Sequence, residues 1–187
     1  MIEELYHSME DARTKHKQSF PGDTYGQLNV KGTDKLIKLF NEQLNNPLGV
    51  FYDLGSGPGH MVMHIALATT IGKSVGIELH KGRHDLAVNT KKEVIEKYKL
   101  KAEALNKVEF LNENFVEATD LSDATVIYID NTIMSKKTVD IIYNKISNNT
   151  LVISCRQFAN IDNYPPRTKM ISRNYSTNGV FWFIKNK

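Results

Sequence analysis

Val50-Phe51-Tyr52-Asp53-Leu54-Gly55-Ser56-Gly57-Pro58-Gly59-His60 is the stretch that decides the fold. A short apolar run carries an acid near its end and then breaks into glycines at alternate positions. A helical pattern starts at about His60. The order is a strand, a tight glycine turn and a helix N-terminus. Glycine lets a ligand approach the backbone there, and the N–H groups of the helix start can face its charged parts. The spacing is D-x-G-x-G-x-G. Gly57 and Gly59 are one residue too close for the G-x-G-x-x-G dinucleotide fingerprint.

The next apolar run, Ser74-Val75-Gly76-Ile77-Glu78, also ends in an acid. An acid after the second strand of a βαβ unit is placed to accept hydrogen bonds from a ribose diol. Further along, Val108–Leu111, Thr125–Ile129 and Leu151–Cys155 read as strands, and the near-continuous apolar run at Thr125–Ile129 reads as a central one. Helices are expected from a cap at Thr33 to about Leu44, over 59–71, over 81–99 with Leu86, Val94, Ile95 and Tyr98 inward, and over 136–147. Residues 2–18 carry Leu5 and Met9 at helical spacing, and Ser19 to Lys31 reads as a loop. Residues 167–173 and 179–185 read as an antiparallel hairpin. Alternating β and α predicts a mostly parallel sheet with helices on both faces, and ligands beyond the carboxyl ends of its strands. Asp53, Glu78, Asn114 with Phe115, Asp130 with Asn131, and Arg156 with Gln157 all fall there.

The chain has 187 residues, a net charge of +3 and one cysteine, Cys155. That length suits one domain with a real core. A lone cysteine excludes an intrachain disulfide and a Cys-based zinc site. No apolar run approaches a membrane span, and no basic-then-apolar opening suggests a signal peptide. A soluble, intracellular protein is the expectation. The histidine pairs His60/His64 and His80/His84 have i, i+4 spacing, but helix histidines are the plainer reading, so no metal is expected.

Strand, acid, spaced glycines, helix, strand and second acid in this order resemble the class I S-adenosylmethionine-dependent methyltransferases. The resemblance implies a Rossmann-like, seven-stranded sheet with helices on both faces and a C-terminal antiparallel hairpin. It also implies that Asp53, Gly55, Ser56, Gly57 and Gly59 hold the methionine part of S-adenosyl-L-methionine, with Glu78 and its neighbour Leu79 at the ribose and base. Asn114 and Phe115 suit the adenine, an amide for its edge and a ring for its face. Asp130 and Asn131 lie where the methyl group would be transferred. A carboxylate or amide there can orient a neutral amine.

Asp53-Leu54-Gly55-Ser56-Gly57, Gly76-Ile77-Glu78, Asn114-Phe115, Val126–Asn131 and Val152-Ile153-Ser154 narrow the resemblance to the disruptor-of-telomeric-silencing family, histone lysine methyltransferases without a SET domain. Tyr25-Gly26 resembles that family's loop over the cofactor. The likeness spans about residues 24–185. It implies residues 1–32 as an N-terminal helix and cofactor or substrate loop, and 33–187 as the methyltransferase domain. It implies Asp130, Asn131, Tyr25 and Trp182 at the reaction centre and a histone in the nucleosome as substrate. The chain departs from the family pattern in having Asp130-Asn131 for two asparagines, Asn114 for an acid, Gln27-Leu28 after the Tyr-Gly pair, and Phe181-Trp182-Phe183 near a tyrosine pair. Nucleosome contact, including non-specific DNA contact, would rest on scattered lysines and on Arg156, Arg167, Lys169 and Arg173. Ile153–Phe158 also resembles small seven-strand lysine methyltransferases of mitochondrial and prokaryotic type, which favours lysine over a histone in particular. A nucleic-acid or small-molecule methyltransferase is the rival enzyme. Against base methylation, Asp130-Asn131-Thr132-Ile133 lacks the Pro-Pro-aromatic that stacks a flipped base. A non-catalytic adapter is the rival outside enzymes, and the intact acid and glycine set argues against it.

Overall fold

The computed structural model describes residues 28–44, 49–98, 102–117, 119–158, 167–170 and 179–185, besides Ile2. Its elements run α1 (Val30–Gln43), β1 (Val50–Leu54), α2 (His60–Ala68), β2 (Lys73–Ile77), α3 (Lys81–Lys97), α4 (Ala102–Asn106), β3 (Val108–Leu111), β4 (Ala124–Ile129), α5 (Lys136–Lys145), β5 (Leu151–Ser154), β6 (Arg167–Met170) and β7 (Gly179–Ile184). The sheet order is β3-β2-β1-β4-β5-β7-β6. The first five strands in that order pair parallel. β7 joins β5 antiparallel and β6 joins β7 antiparallel. This is a Rossmann-like mixed sheet. Its order reverses between β1 and β4, and that switch point opens a crevice at the strands' carboxyl ends.

Strand alternation splits the core between two faces. Phe51, Val126, Tyr128, Leu151, Ile153, Val180 and Trp182 pack with Leu36, Leu39 and Phe40 of α1 and Met61 and Ile65 of α2. Tyr52, Leu54, Ile127, Ile129, Val152 and Phe183 pack with Val139 and Ile142 of α5 on the other. The central strands therefore bury both sides, which is why their sequences read as continuous apolar runs. Val62, Met63 and Ala66 of α2 meet Val94 of α3, Leu105 of α4 and Val108 of β3 in a third cluster beside the first face. His64 is buried on α2 with Nε2 3.1 Å from Asp34 Oδ1, tying α2 to α1. Burial lowers the His64 pKa, against the opposing pull of that carboxylate.

Two local expectations are corrected. α1 starts before Thr33: Asn29 is the cap, its Oδ1 accepting the Gly32 N–H at 2.8 Å, and Thr33 is buried. The cap lies inside what the glycine-rich composition reads as loop. On α3 the buried positions are Ala87, Thr90 and Val94, with Leu86 only half-buried. Ala87 faces inward where α3 passes close to the glycine turn: a Cβ on Gly59 would come 3.1 Å from that of Ala87. Of the expected helix over 2–18 only Ile2 is described, and the residues joining the two expected C-terminal strands lie outside the described residues.

Gly59 precedes α2 with φ of 81°. A Cβ there would also sit 2.4 Å from the Phe110 ring. Left-handed strain and overpacking together predict that Gly59→Ala costs about 2–4 kcal/mol. Urea unfolding of the two proteins measures this, and an unchanged midpoint would show that the turn tolerates a side chain.

Candidate active site

The glycine turn is built by backbone bonds. Gly55 N–H and Ser56 N–H both donate to Ile77 O, at 2.9 and 3.0 Å, and Gly59 N–H donates to Ser56 O at 3.0 Å. Gly55, Gly57 and Gly59 all have positive φ, at 90°, 53° and 81°. Side chains other than glycine rarely adopt that region. Gly55 is exposed, and a Cβ there would meet nothing within 4 Å. The Ser56 side chain instead packs over Gly76 of β2, its Oγ buried without a hydrogen-bond partner among the described residues.

Glu78 locks the turn to β2. Its Oε2 accepts the Gly57 N–H at 2.9 Å and its Oε1 accepts the His80 N–H at 2.8 Å. Arg83 Nη1 stands 3.9 Å from Oε1. Asn112, just past β3, donates through Nδ2 to Glu78 O at 2.8 Å and to Leu79 O at 3.0 Å. The buried acid is thereby held still while the next side chain, Leu79, stays 61% exposed. An apolar side chain presented beside a fixed acid suits the flat face and polar edge of a nucleoside.

Asp53 is buried beneath the same turn. Loss of solvent, then the charges of Glu78 and Asp130, raise its carboxyl well above the usual range. Acids from two other strand ends thus act on Asp53, and a nearby cation would relieve that tension.

At the β3 end, Asn114 Oδ1 accepts the Val116 N–H at 3.0 Å, closing a small turn. Phe115 is half-buried against the α5-side core. Lys145 of α5 secures this segment by donating to Phe115 O and Thr119 O, each at 3.3 Å. At the β4 end, Asp130 Oδ1 accepts the Thr132 N–H at 3.1 Å and the Thr132 hydroxyl. Asn131 is buried, donating through Nδ2 to Arg156 O at 2.9 Å and accepting the Arg156 N–H on Oδ1 at 2.6 Å.

The structure thus brings Asp53, Gly55, Ser56, Gly57, Gly59, Glu78, Leu79, Asn114, Phe115, Asp130 and Asn131 to the carboxyl ends of the parallel strands. Trp182 is different. It pairs with Ile153 in the sheet and is buried in the core cluster under α1. Tyr25 lies outside the described residues. Sequence reasoning missed Arg83, Asn112 and Lys145. Arg83 sits in the first turn of the helix after Glu78, and Asn112 directly follows a strand, positions from which long or amide side chains reach a neighbouring strand end. Lys145 offers no such signal, since its partners are backbone carbonyls 30 and 26 residues earlier in the chain.

A family model described as "Histone methylation protein DOT1" matches residues 7–177. A histone-lysine N-methyltransferase of Caenorhabditis elegans, specific for H3 lysine-79, is 37% identical over 123 residues, 63% of this chain and 12% of that protein. The chain therefore spans a small part of that relative's length. Among solved structures, an RNA methyltransferase from Salinibacter ruber with S-adenosyl-L-homocysteine aligns at a TM-score of 0.65 and 23% identity, over 86% of this chain and 94% of that one. A methyltransferase from Geobacter sulfurreducens aligns at 0.68 and 14% identity, over 98% and 89%. At these identities the two structures establish the fold.

The buried acid yields a prediction with a definite sign. Folding favours protonated Asp53, so its stabilising effect is complete below the unfolded carboxyl pKa. It is lost as pH rises through the raised folded value. Asp53→Asn mimics the protonated form at every pH. The variant should unfold at higher urea than the parent at pH 8, by at least about 1 kcal/mol, the worth of one pKa unit, and at nearly equal urea at pH 4. Equal midpoints at pH 8 would mean that Asp53 carries no such tension.

Proposed function

This chain belongs to the DOT1 family of histone methylation proteins, and from that premise we propose an S-adenosylmethionine-dependent lysine N-methyltransferase acting on a histone lysine in nucleosomes. The observation that carries the reading is the joining of the glycine turn to Glu78 beside a second buried acid, at the switch point of the sheet. The site fits this cofactor: Gly55 borders open space, Leu79 stands exposed beside a fixed carboxylate, and the buried Asp53, its carboxyl raised by burial first and by the charges of Glu78 and Asp130 second, would be eased by the positive charge of a sulfonium. The reading takes the sheet as the seven-stranded class I form closed by the β6–β7 hairpin.

When bound, S-adenosylmethionine supplies a methyl group on a sulfonium, an electrophile that needs only a lone-pair nucleophile. Glu78 would accept from the ribose diol with the lone pairs left after Gly57 and His80. Leu79 and Phe115 would flank the adenine, with Asn114 at its edge. Gly55, Gly57 and Gly59 would let the methionine part lie against the backbone, and Ser56 would shape the turn from behind. Asp53 would offset cofactor charge from below. Asp130 would accept from the incoming lysine amine, orient its lone pair and help its proton leave through water.

Residues 33–187 would form the methyltransferase domain. Residues 1–32 would supply the loop over the site, including Tyr25 as a contact to cofactor and acceptor. Trp182 would support the acceptor wall by packing. Lys136 and Lys137, exposed at the start of α5, would contribute to nucleosome binding, DNA included, and Arg156 would contribute on the protein side. Among the described residues no helix is long and apolar enough to cross a membrane. A chromatin-containing compartment follows from the substrate.

Transfer of radiolabelled methyl to intact nucleosomes, free histones and a cell extract, with mapping by mass spectrometry, tests the substrate. Label on a core-histone lysine is expected. Label confined to other proteins, RNA or small molecules would discard the histone assignment. Asp130→Ala should lower the transfer rate about 100-fold or more while cofactor affinity stays within about threefold. Unaltered transfer would remove Asp130 from the reaction centre.

A further inference from the structure

Between β5 and the segment that follows it, the chain is gripped from two sides. Asn131, next to Asp130, spends both atoms of its buried amide on the backbone of Arg156, at 2.9 and 2.6 Å. Ser154 Oγ, also buried, donates to the same Arg156 carbonyl at 2.8 Å, and Cys155 N–H donates to Ile129 O at 3.3 Å. Two residues on, Phe158 is buried, with its ring edge-on to Phe183 at 5.4 Å and tilted on Tyr143 at 6.3 Å. Between these anchors only Arg156 and Gln157 are exposed. A buried amide with both its heavy atoms paired to one residue's backbone has a geometric task, since leaving either atom unpaired would be costly. The task here is to fix the origin of one side chain, Arg156, beside the acid expected to orient the amine.

Resting on the methyltransferase reading, we propose that Arg156 determines acceptor specificity by pairing with a carboxylate of the acceptor protein close to the methylated lysine, and that Asn131 is the positioning residue that holds it. A guanidinium fork matches a carboxylate in two parallel hydrogen bonds. The backbone of Arg156 is bonded to the residue adjoining Asp130, so its partner lies on the same short stretch of protein that delivers the lysine. A DNA phosphate is the less suitable partner, because a duplex is too broad to enter beside the amine. The exposed Lys136 and Lys137 suit the wider, nonspecific contact. Asn131 thus acts through Arg156 and touches neither cofactor nor acceptor.

The test compares wild type, Arg156→Glu, Arg156→Lys and Asn131→Ala. Each is scored for S-adenosylmethionine affinity by calorimetry and for steady-state transfer to whichever acceptor wild type labels. That acceptor is offered both as nucleosomes and as DNA-free histone octamer, or as the purified extract protein. Arg156→Glu should raise acceptor KM about tenfold or more, with kcat and cofactor affinity within about threefold. Arg156→Lys should lie between. On DNA-free acceptor, wild-type KM should rise more steeply with salt from 50 to 300 mM than that of Arg156→Glu, because a paired charge is screened. Asn131→Ala should reproduce part of the KM rise and of the lost salt dependence, readouts that general loosening does not imitate. Unchanged KM in Arg156→Glu overturns the proposal. So does an effect that vanishes on DNA-free octamer, which would assign Arg156 to phosphate. If wild type labels only a non-histone protein, the histone reading fails while the Arg156 comparison stands on that protein. If wild type labels nothing, both fail.

Discussion

The grip of Glu78 on the Gly57 and His80 amides is the constraint on which the site depends. It joins the turn after β1 to the end of β2, so two independent strands present one surface. Gly55 and Ser56 add a second seam by donating to Ile77 O. The positive φ values of the turn are tolerated because glycine occupies each. What results is a rigid floor. Rigid placement matters for group transfer, where orientation supplies much of the rate.

The same floor stores electrostatic tension. Asp53 lies buried, and its carboxyl is pushed up by burial first and by the charges of Glu78 and Asp130 second. A protein optimised for stability alone would place a neutral residue there. Retaining the acid makes sense if a cationic ligand completes the site, so that stability is lower without ligand and recovered with it. The β4 end follows another logic. Asp130 is held by Thr132, and its neighbour Asn131 organises the chain after β5. Acid and amide, adjacent in sequence, point to different tasks.

The fold was legible because its strongest signals are local. Alternate glycines after a buried strand, acids at strand ends and the apolar run Thr125–Ile129 each admit one arrangement. The closing hairpin was legible for the same reason. Signals that depend on tertiary proximity were not. The inward face of α3 uses Ala87 where the glycine turn leaves little room, which hydrophobicity alone does not reveal. The cap at Asn29 hides in glycine-rich sequence. Asn131 looked like a group for the reaction, and only its two bonds to Arg156 disclose a backbone partner 25 residues away. Trp182 could be placed on a strand from sequence, where a core aromatic is the commoner reading, and its burial under α1 agrees with that.

Calorimetric titration of S-adenosylmethionine into wild type and Glu78→Gln tests the central claim most directly. A carboxylate offers each oxygen to one backbone N–H, whereas an amide turns its NH2 toward one of those donors. Saturable binding to wild type is expected, weakened at least about tenfold in Glu78→Gln by loss of the turn and of the ribose acceptor together. No binding to wild type, or equal binding to both proteins, would contradict it.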